Sequence, residues 1–142
     1  EASIDAAARE VLEESGWPRL PVAVHSPGHI APTDREAREQ LYPHFKAMRD
    51  RIGAERGWGP MRPGEFEAMA GPGGSLYVGS PETVAAKIAA TATALDLSRF
   101  DLKYSAGSLP HDAMMRSIEL YGTEVIPRVR ELLAAAEEPV GV

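Results

Sequence analysis

The chain has 142 residues, 44% of them hydrophobic and 25% charged, the balance of a folded domain rather than of a disordered or membrane-embedded one. Fifteen Lys and Arg against 21 Asp and Glu leave a net charge of −6, which speaks against a general nucleic-acid role. There is no cysteine, so disulfides, thiolate metal sites and a cysteine nucleophile are excluded.

No apolar run approaches the ~20 residues that cross a bilayer, and no signal-peptide pattern opens the chain, so a cytoplasmic protein is expected. The first residue is Glu1 rather than methionine, as in a processed product or a piece of a longer protein. One domain, residues 1–142, is expected.

In chain order, Ile4, Ala7, Ala8, Val11 and Leu12 recur at helical spacing behind Ser3, a suitable cap, and Gly16 is placed to end that helix. Pro18 and Pro21 lead into a short strand, Val22-Ala23-Val24-His25-Ser26, closed by Pro27-Gly28. Thr33-Asp34-Arg35-Glu36 has the form of a capping box, and Ala37, Leu41, Phe45, Met48 and Ile52 give the helix behind it one apolar face. Pro43 should bend that helix. Residues 53–74, rich in Gly and Pro around Trp58, Met61, Phe66 and Met69, read as a long loop or lid with one short helix near Glu65–Met69.

Leu76-Tyr77-Val78 is a buried strand that turns at Gly79 into a helix with Ser80 as its cap and Pro81 at its first position. A helix that starts at the carboxyl end of a strand can hold a phosphate on its free amides; the same pattern is equally that of a well-capped helix with no ligand. Val84, Ala85, Ile88, Ala92 and Leu95 continue it. Residues 99–105 alternate as a strand, the turn Ala106-Gly107-Ser108-Leu109-Pro110 follows, and the last long helix should split at Gly122 and Pro127. Strands alternating with helices imply parallel pairing and right-handed crossovers, hence an α/β protein.

Alternation also assigns faces. Val22 and Val24, Leu76 and Val78, and Phe100, Leu102 and Tyr104 should pack under helices. The opposite, polar set is Ala23 and His25, Ser75, Tyr77 and Gly79, then Asp101, Lys103 and Ser105. In a barrel it would face the lumen, with His25, Gly79 and Ser105 nearest the carboxyl ends, where barrel sites lie.

Among chemical candidates, His25 and His29 are four apart but separated by Ser26-Pro27-Gly28, which prevents the shared helical face a zinc pair uses, so no metal is expected. His25 at a strand end suits hydrogen bonding or proton transfer, and equally an ordinary partly buried histidine. His111, at the entrance to the last helix, suits ligand contact or capping. Lys103 can meet a phosphate, but a pair with Asp101 is the simpler expectation. His44 reads as structural. No nucleophile elbow, G-x-G-x-x-G or Walker pattern is present.

Several stretches together resemble one family. They are Val24-His25-Ser26-Pro27-Gly28-His29-Ile30-Ala31-Pro32-Thr33-Asp34, then 76–85, then 101–111, and then Ser117-Ile118-Glu119-Leu120-Tyr121-Gly122-Thr123-Glu124-Val125-Ile126-Pro127. In this order they are similar to the carboxyl-terminal part of luciferase-like, flavin-dependent monooxygenases.

The resemblance implies a partial (β/α)8 TIM-type barrel with about three parallel strands and four or more helices. It also implies FMN or a deazaflavin as cofactor and oxidation of a small organic substrate. Carried over, Gly79, Ser80, Gly107 and His111 are cofactor-binding candidates, His25 a catalytic candidate facing the ring, and Ser26 a substrate contact.

The strands that would supply much of the flavin pocket are missing from such a fragment. A missing amino-terminal segment, a second chain or a second copy is therefore the expected partner, since open sheet edges are aggregation-prone. Two other readings remain: a non-catalytic half-barrel scaffold that self-associates, and a binding module for some other phosphate-bearing anion.

Overall fold

The computed structural model describes residues 10, 13–16 and 20–137. Strand β1 (Ala23–Ile30) leads to α1 (Asp34–Arg56) and α2 (Pro63–Ala70). Strand β2 (Tyr77–Gly79) leads to α3 (Pro81–Leu95), and β3 (Arg99–Lys103) to α4 (His111–Leu120), a π-helical turn (Tyr121–Val125) and α5 (Ile126–Glu137). Of the expected first helix, residues 10 and 13–15 are helical, and Gly16 turns with φ 64°; its remaining residues lie outside those described.

The three strands are parallel, as expected, in the order β2-β1-β3. From β1 the chain crosses to β2 on one side, then returns over β1 to β3 on the other. Two right-handed crossovers running in opposite directions place their helices on opposite faces of the sheet. Hence α1 and α2 cover one face, where Leu41, Phe45, Met61, Phe66, Leu76 and Val78 form a core. On the other face Ile30, Tyr77, Val84, Ile88, Leu120 and Val125 form a second core, flanked by Phe100, Leu102 and Val129.

This arrangement corrects the expected lumen face. His29 pairs with Val78 and Gly28 with Tyr77, so it is Leu76 and Val78 that share a side with His25, and Tyr77 lies beneath α3. The ring of Tyr77 meets Phe100 edge-on at 4.7 Å. Its hydroxyl shares a hydrogen bond of 2.8 Å with Thr91, so burying a tyrosine there leaves no polar atom unpaired. Val22 and Tyr104, expected under helices, are exposed.

β1 runs to Ile30 rather than stopping at Pro27-Gly28. Its first five residues, Ala23–Pro27, pair with β3, and Gly28, His29 and Ile30 pair with β2. Pro27 stands where the partner changes, so its missing N–H costs little in either ladder. Gly28 is required by the close approach of both neighbours: a Cβ there would lie 2.4 Å from the Tyr77 carbonyl oxygen and 2.5 Å from Leu102 Cδ1.

Thr33 caps α1 by accepting from the Glu36 N–H at 3.2 Å, and Pro43 is accommodated within the continuous helix. Much of the 53–74 stretch is ordered by its own helices, α1 continuing to Arg56 and α2 occupying Pro63–Ala70. Its apolar residues Met61 and Phe66 are buried. Arg49 and Arg56 each lie 5.3 Å from the Trp58 ring centre, and the Met61 N–H donates to Asp50 at 2.6 Å. The last helix does not split at Gly122 and Pro127 as expected but continues through a π-helical turn at Tyr121–Val125. The Ile126 N–H reaches back five residues to the Tyr121 carbonyl, just ahead of Pro127, which has no N–H to continue the α pattern.

Candidate functional site

At the carboxyl end of β3 a cleft of about 230 Å³ opens between β1 and α1. His25, Lys103 and Ser105 border it, and Leu41, Phe45 and Met48 form its floor. The floor exists because the apolar stripe of α1 runs past the end of the β3 pairing. His25 is aligned with Asp101 and Pro27 with Lys103, so His25 and Lys103 share one side of adjacent strands, two residues apart in register.

The expected Lys103–Asp101 pair does not form. Asp101 pairs with Arg99 at 2.9 Å, and among the described residues Lys103 makes no ion pair. The cleft thus presents an imidazole, an uncommitted ammonium and a hydroxyl over an apolar surface, groups that can hydrogen-bond and hold negative charge beside a flat apolar ligand.

The turn after β3 forms the rim. Ala106 lines the cleft. Gly107 has φ 54°, and a Cβ there would lie 3.4 Å from Met48 Cβ. His44 on α1 shares a hydrogen bond of 2.9 Å with the Ser108 hydroxyl, the structural role expected of it. His111 stands exposed at the start of α4. Ser26 is not brought to the cleft: it is buried, and its hydroxyl donates to the Ser75 carbonyl at 3.2 Å.

Gly79 and Ser80 lie elsewhere. Their neighbour is Asp34, at the start of α1, whose carboxylate accepts from the Ser80 N–H at 2.7 Å and from the Thr83 hydroxyl at 3.0 Å. Gly107 faces His44 and Met48, ten and fourteen residues further along α1, or about 15–21 Å at the helical rise. One phosphate cannot touch both turns.

Burial pushes the Asp34 carboxyl up, but the donors from Ser80 and Thr83 outweigh it and hold the group below its ordinary value. Sequence reasoning missed Asp34 as a partner of this turn because the two are 46 residues apart; within Thr33-Asp34-Arg35-Glu36 it reads only as a first-turn acid.

His29 is fully buried, with Nε2 2.7 Å from Gln40 Oε1. Gln40 in turn donates from Nε2 to Glu36 at 3.0 Å. That orientation makes His29 Nε2 the donor and leaves Nδ1 as a buried acceptor without a partner. Burial lowers the His29 pKa, against the opposing effects of Gln40 and Glu36. No group of three or more His, Asp or Glu suited to a metal occurs among the described residues. No helix among them is long and apolar enough to cross a membrane.

A larger hollow of about 340 Å³ lies at the opposite end of β3, lined by Phe100, Tyr121, Val125 and Val129. Its border residue Arg99 is committed to Asp101. It also sits at the amino rather than the carboxyl end of the strand, away from where parallel α/β folds carry their chemistry.

The chain matches no protein-family model and no curated protein. Among solved structures, the monooxygenase RslO1 from Streptomyces bottropensis aligns with a TM-score of 0.63 at 19% identity, over 84% of this chain and 35% of that one. The oxygenating constituent of 3,6-diketocamphane monooxygenase from Pseudomonas putida, a type II Baeyer-Villiger monooxygenase in complex with FMN, aligns with a TM-score of 0.55 at 22% identity. That match covers 85% of this chain and 37% of its own. Both neighbours are luciferase-like TIM-barrel monooxygenases. At these identities the likeness is one of fold, and the chain spans about a third of the neighbours' length; its strand order β2-β1-β3, with helices on both faces, differs from the sequential strands and single outer helix layer of a closed barrel.

Proposed function

We propose that the chain is part of a flavin-dependent monooxygenase acting on a small organic substrate. In this reading the cleft bordered by His25, Lys103 and Ser105 is its contribution to the flavin site. The observation that carries it is the unpaired Lys103 beside His25 over the Leu41, Phe45 and Met48 floor, on a fold shared with monooxygenases of which one holds FMN.

The residues fit a portion of FMN or a deazaflavin. The apolar floor suits a face of the ring, and the ammonium suits a polar ring edge or the phosphate. The volume is below the ~300–1,000 Å³ of complete ligand sites, so the rest of the pocket comes from a further segment, a second chain or a second copy. The bound flavin supplies the redox chemistry. His25 would hydrogen-bond to the ring or the substrate, Lys103 would hold negative charge, and Gly107 and His111 border the same turn.

Fluorescence titration of FMN into the chain tests this. Saturable quenching is expected, weakened about tenfold, or roughly 1.4 kcal/mol, by Lys103→Ala and less by His25→Ala. Absence of saturable quenching even when the rest of the pocket is supplied, or equal binding by both variants and the parent, overturns it.

A further inference from the structure

The turn Gly79-Ser80 at the start of α3 has the sequence of a phosphate cradle, yet the donors of Ser80, Thr83 and Val84 are already committed within the chain, which leaves the Glu82 N–H. Asp34 accepts the Ser80 N–H at 2.7 Å and the Thr83 hydroxyl at 3.0 Å. The Ser80 hydroxyl accepts the Thr83 N–H at 3.3 Å, the Val84 N–H goes to the Ser80 carbonyl at 3.0 Å, and Pro81 has none. Gly79 serves this same contact: a Cβ there would lie 2.6 Å from Asp34 Oδ1. The absent side chain thus admits the carboxylate of α1 where a ligand anion would otherwise approach.

The surface outside repels anions as well. The hollow beside Ser80 is lined by Glu82, Glu124 and Glu131 with Arg128. Arg128 is spent in a two-point contact with Glu82 at 3.0 and 3.1 Å and a further one with Glu131 at 3.1 Å. A phosphate arriving there meets three glutamates, and the hollow's one cation, Arg128, is already held by two of them.

We infer that Asp34 is a built-in substitute for a ligand anion and closes the amino terminus of α3 to phosphate-bearing molecules. Asp34 is on this account a specificity determinant, and a phosphorylated cofactor of the chain has to place its phosphate away from Gly79-Ser80. The inference stands apart from the flavin proposal, because it concerns which anion fills one helix terminus whether or not FMN binds at the cleft.

Titration of inorganic phosphate, followed by NMR at the backbone amides of Ser80, Glu82 and Thr83, tests it. The parent chain should show no saturable shift at these amides, and Asp34→Ala should show one, with apparent affinity at least about tenfold tighter. Asp34→Asn keeps an oxygen acceptor for Ser80 while removing the charge, and should give a smaller gain in the same direction; it also serves if the alanine variant fails to fold. Saturable binding at these amides in the parent, or no gain in a folded variant, overturns the inference.

Discussion

The Ile30 N–H donates to the Ser117 hydroxyl across 2.9 Å, with both residues buried and 87 positions apart in the chain. The bond ties the end of the central strand to α4 at a point where no ladder partner serves that amide. Ser117→Ala removes the acceptor and leaves a buried donor unpaired, which costs about 1–3 kcal/mol. Urea unfolding should show a lower midpoint with an unchanged slope, whereas Ser117→Thr, retaining the hydroxyl, should lose less if its added methyl is accommodated.

Gly28→Ala should be far more damaging than an ordinary glycine substitution in a strand. The new Cβ falls 2.4 Å from a backbone oxygen of β2 and 2.5 Å from Leu102 of β3, so the central strand would have to move away from both neighbours. Overpacking of this kind costs about 3 kcal/mol or more. Gly59→Ala, where a Cβ meets nothing within 4 Å, is the matched control, and thermal denaturation of the pair should separate them clearly.

Asp34 gives the chain an acid-sensitive tie between α1 and α3. Its folded pKa lies below the ordinary 3.8, so the folded state binds its proton less readily than the unfolded state. The stabilisation is present above that ordinary value and is lost as pH falls through the lower folded one. Asp34→Asn should lower stability near neutral pH and flatten the decline on acidification; urea midpoints measured from pH 6 downward, with ~0.5 steps, would show an unchanged acid slope if Asp34 contributes nothing.

His29 adds a second pH dependence in a different window. Burial holds its pKa below 6.5, and a proton added at Nδ1 would be a buried donor without an acceptor. Its neutral form is present in both states above pH 6.5; below that value the unfolded chain takes up a proton that the folded one resists, so stability falls. His29→Gln should remove the part of the decline that begins just below pH 6.5, as read from unfolding midpoints between neutral and mildly acidic pH.

Much of the fold was legible because local signals act locally. Thr33 and Ser80 cap the helices they precede, Gly122 and Pro127 mark a π-helical turn in the last helix, and the alternating strands are parallel. Facing and strand order were less legible, because they depend on which neighbour each strand finds. Leu76, Tyr77 and Val78 are all apolar, so alternation within the strand does not say which of its sides continues that of His25, and helices on both faces bury all three. Pro27 reads as a strand end because its tolerance comes from the change of partner beside it, a tertiary fact.

At the site, His25, Lys103 and Ser105 shared a face by simple alternation. The release of Lys103 depended on Arg99 taking Asp101, and the occupation of Ser80 depended on a residue far back in the chain. Neither leaves a local pattern.

The most direct measurement of the central claim is amide mapping of FMN titrated into the full chain by NMR. Saturable shifts centred on His25, Lys103, Ser105 and Ala106 are expected, with the amides of Ser80, Glu82 and Thr83 unmoved. Shifts centred instead on the hollow around Phe100, Tyr121 and Val129, or no saturable shifts even with the rest of the pocket supplied, would contradict it.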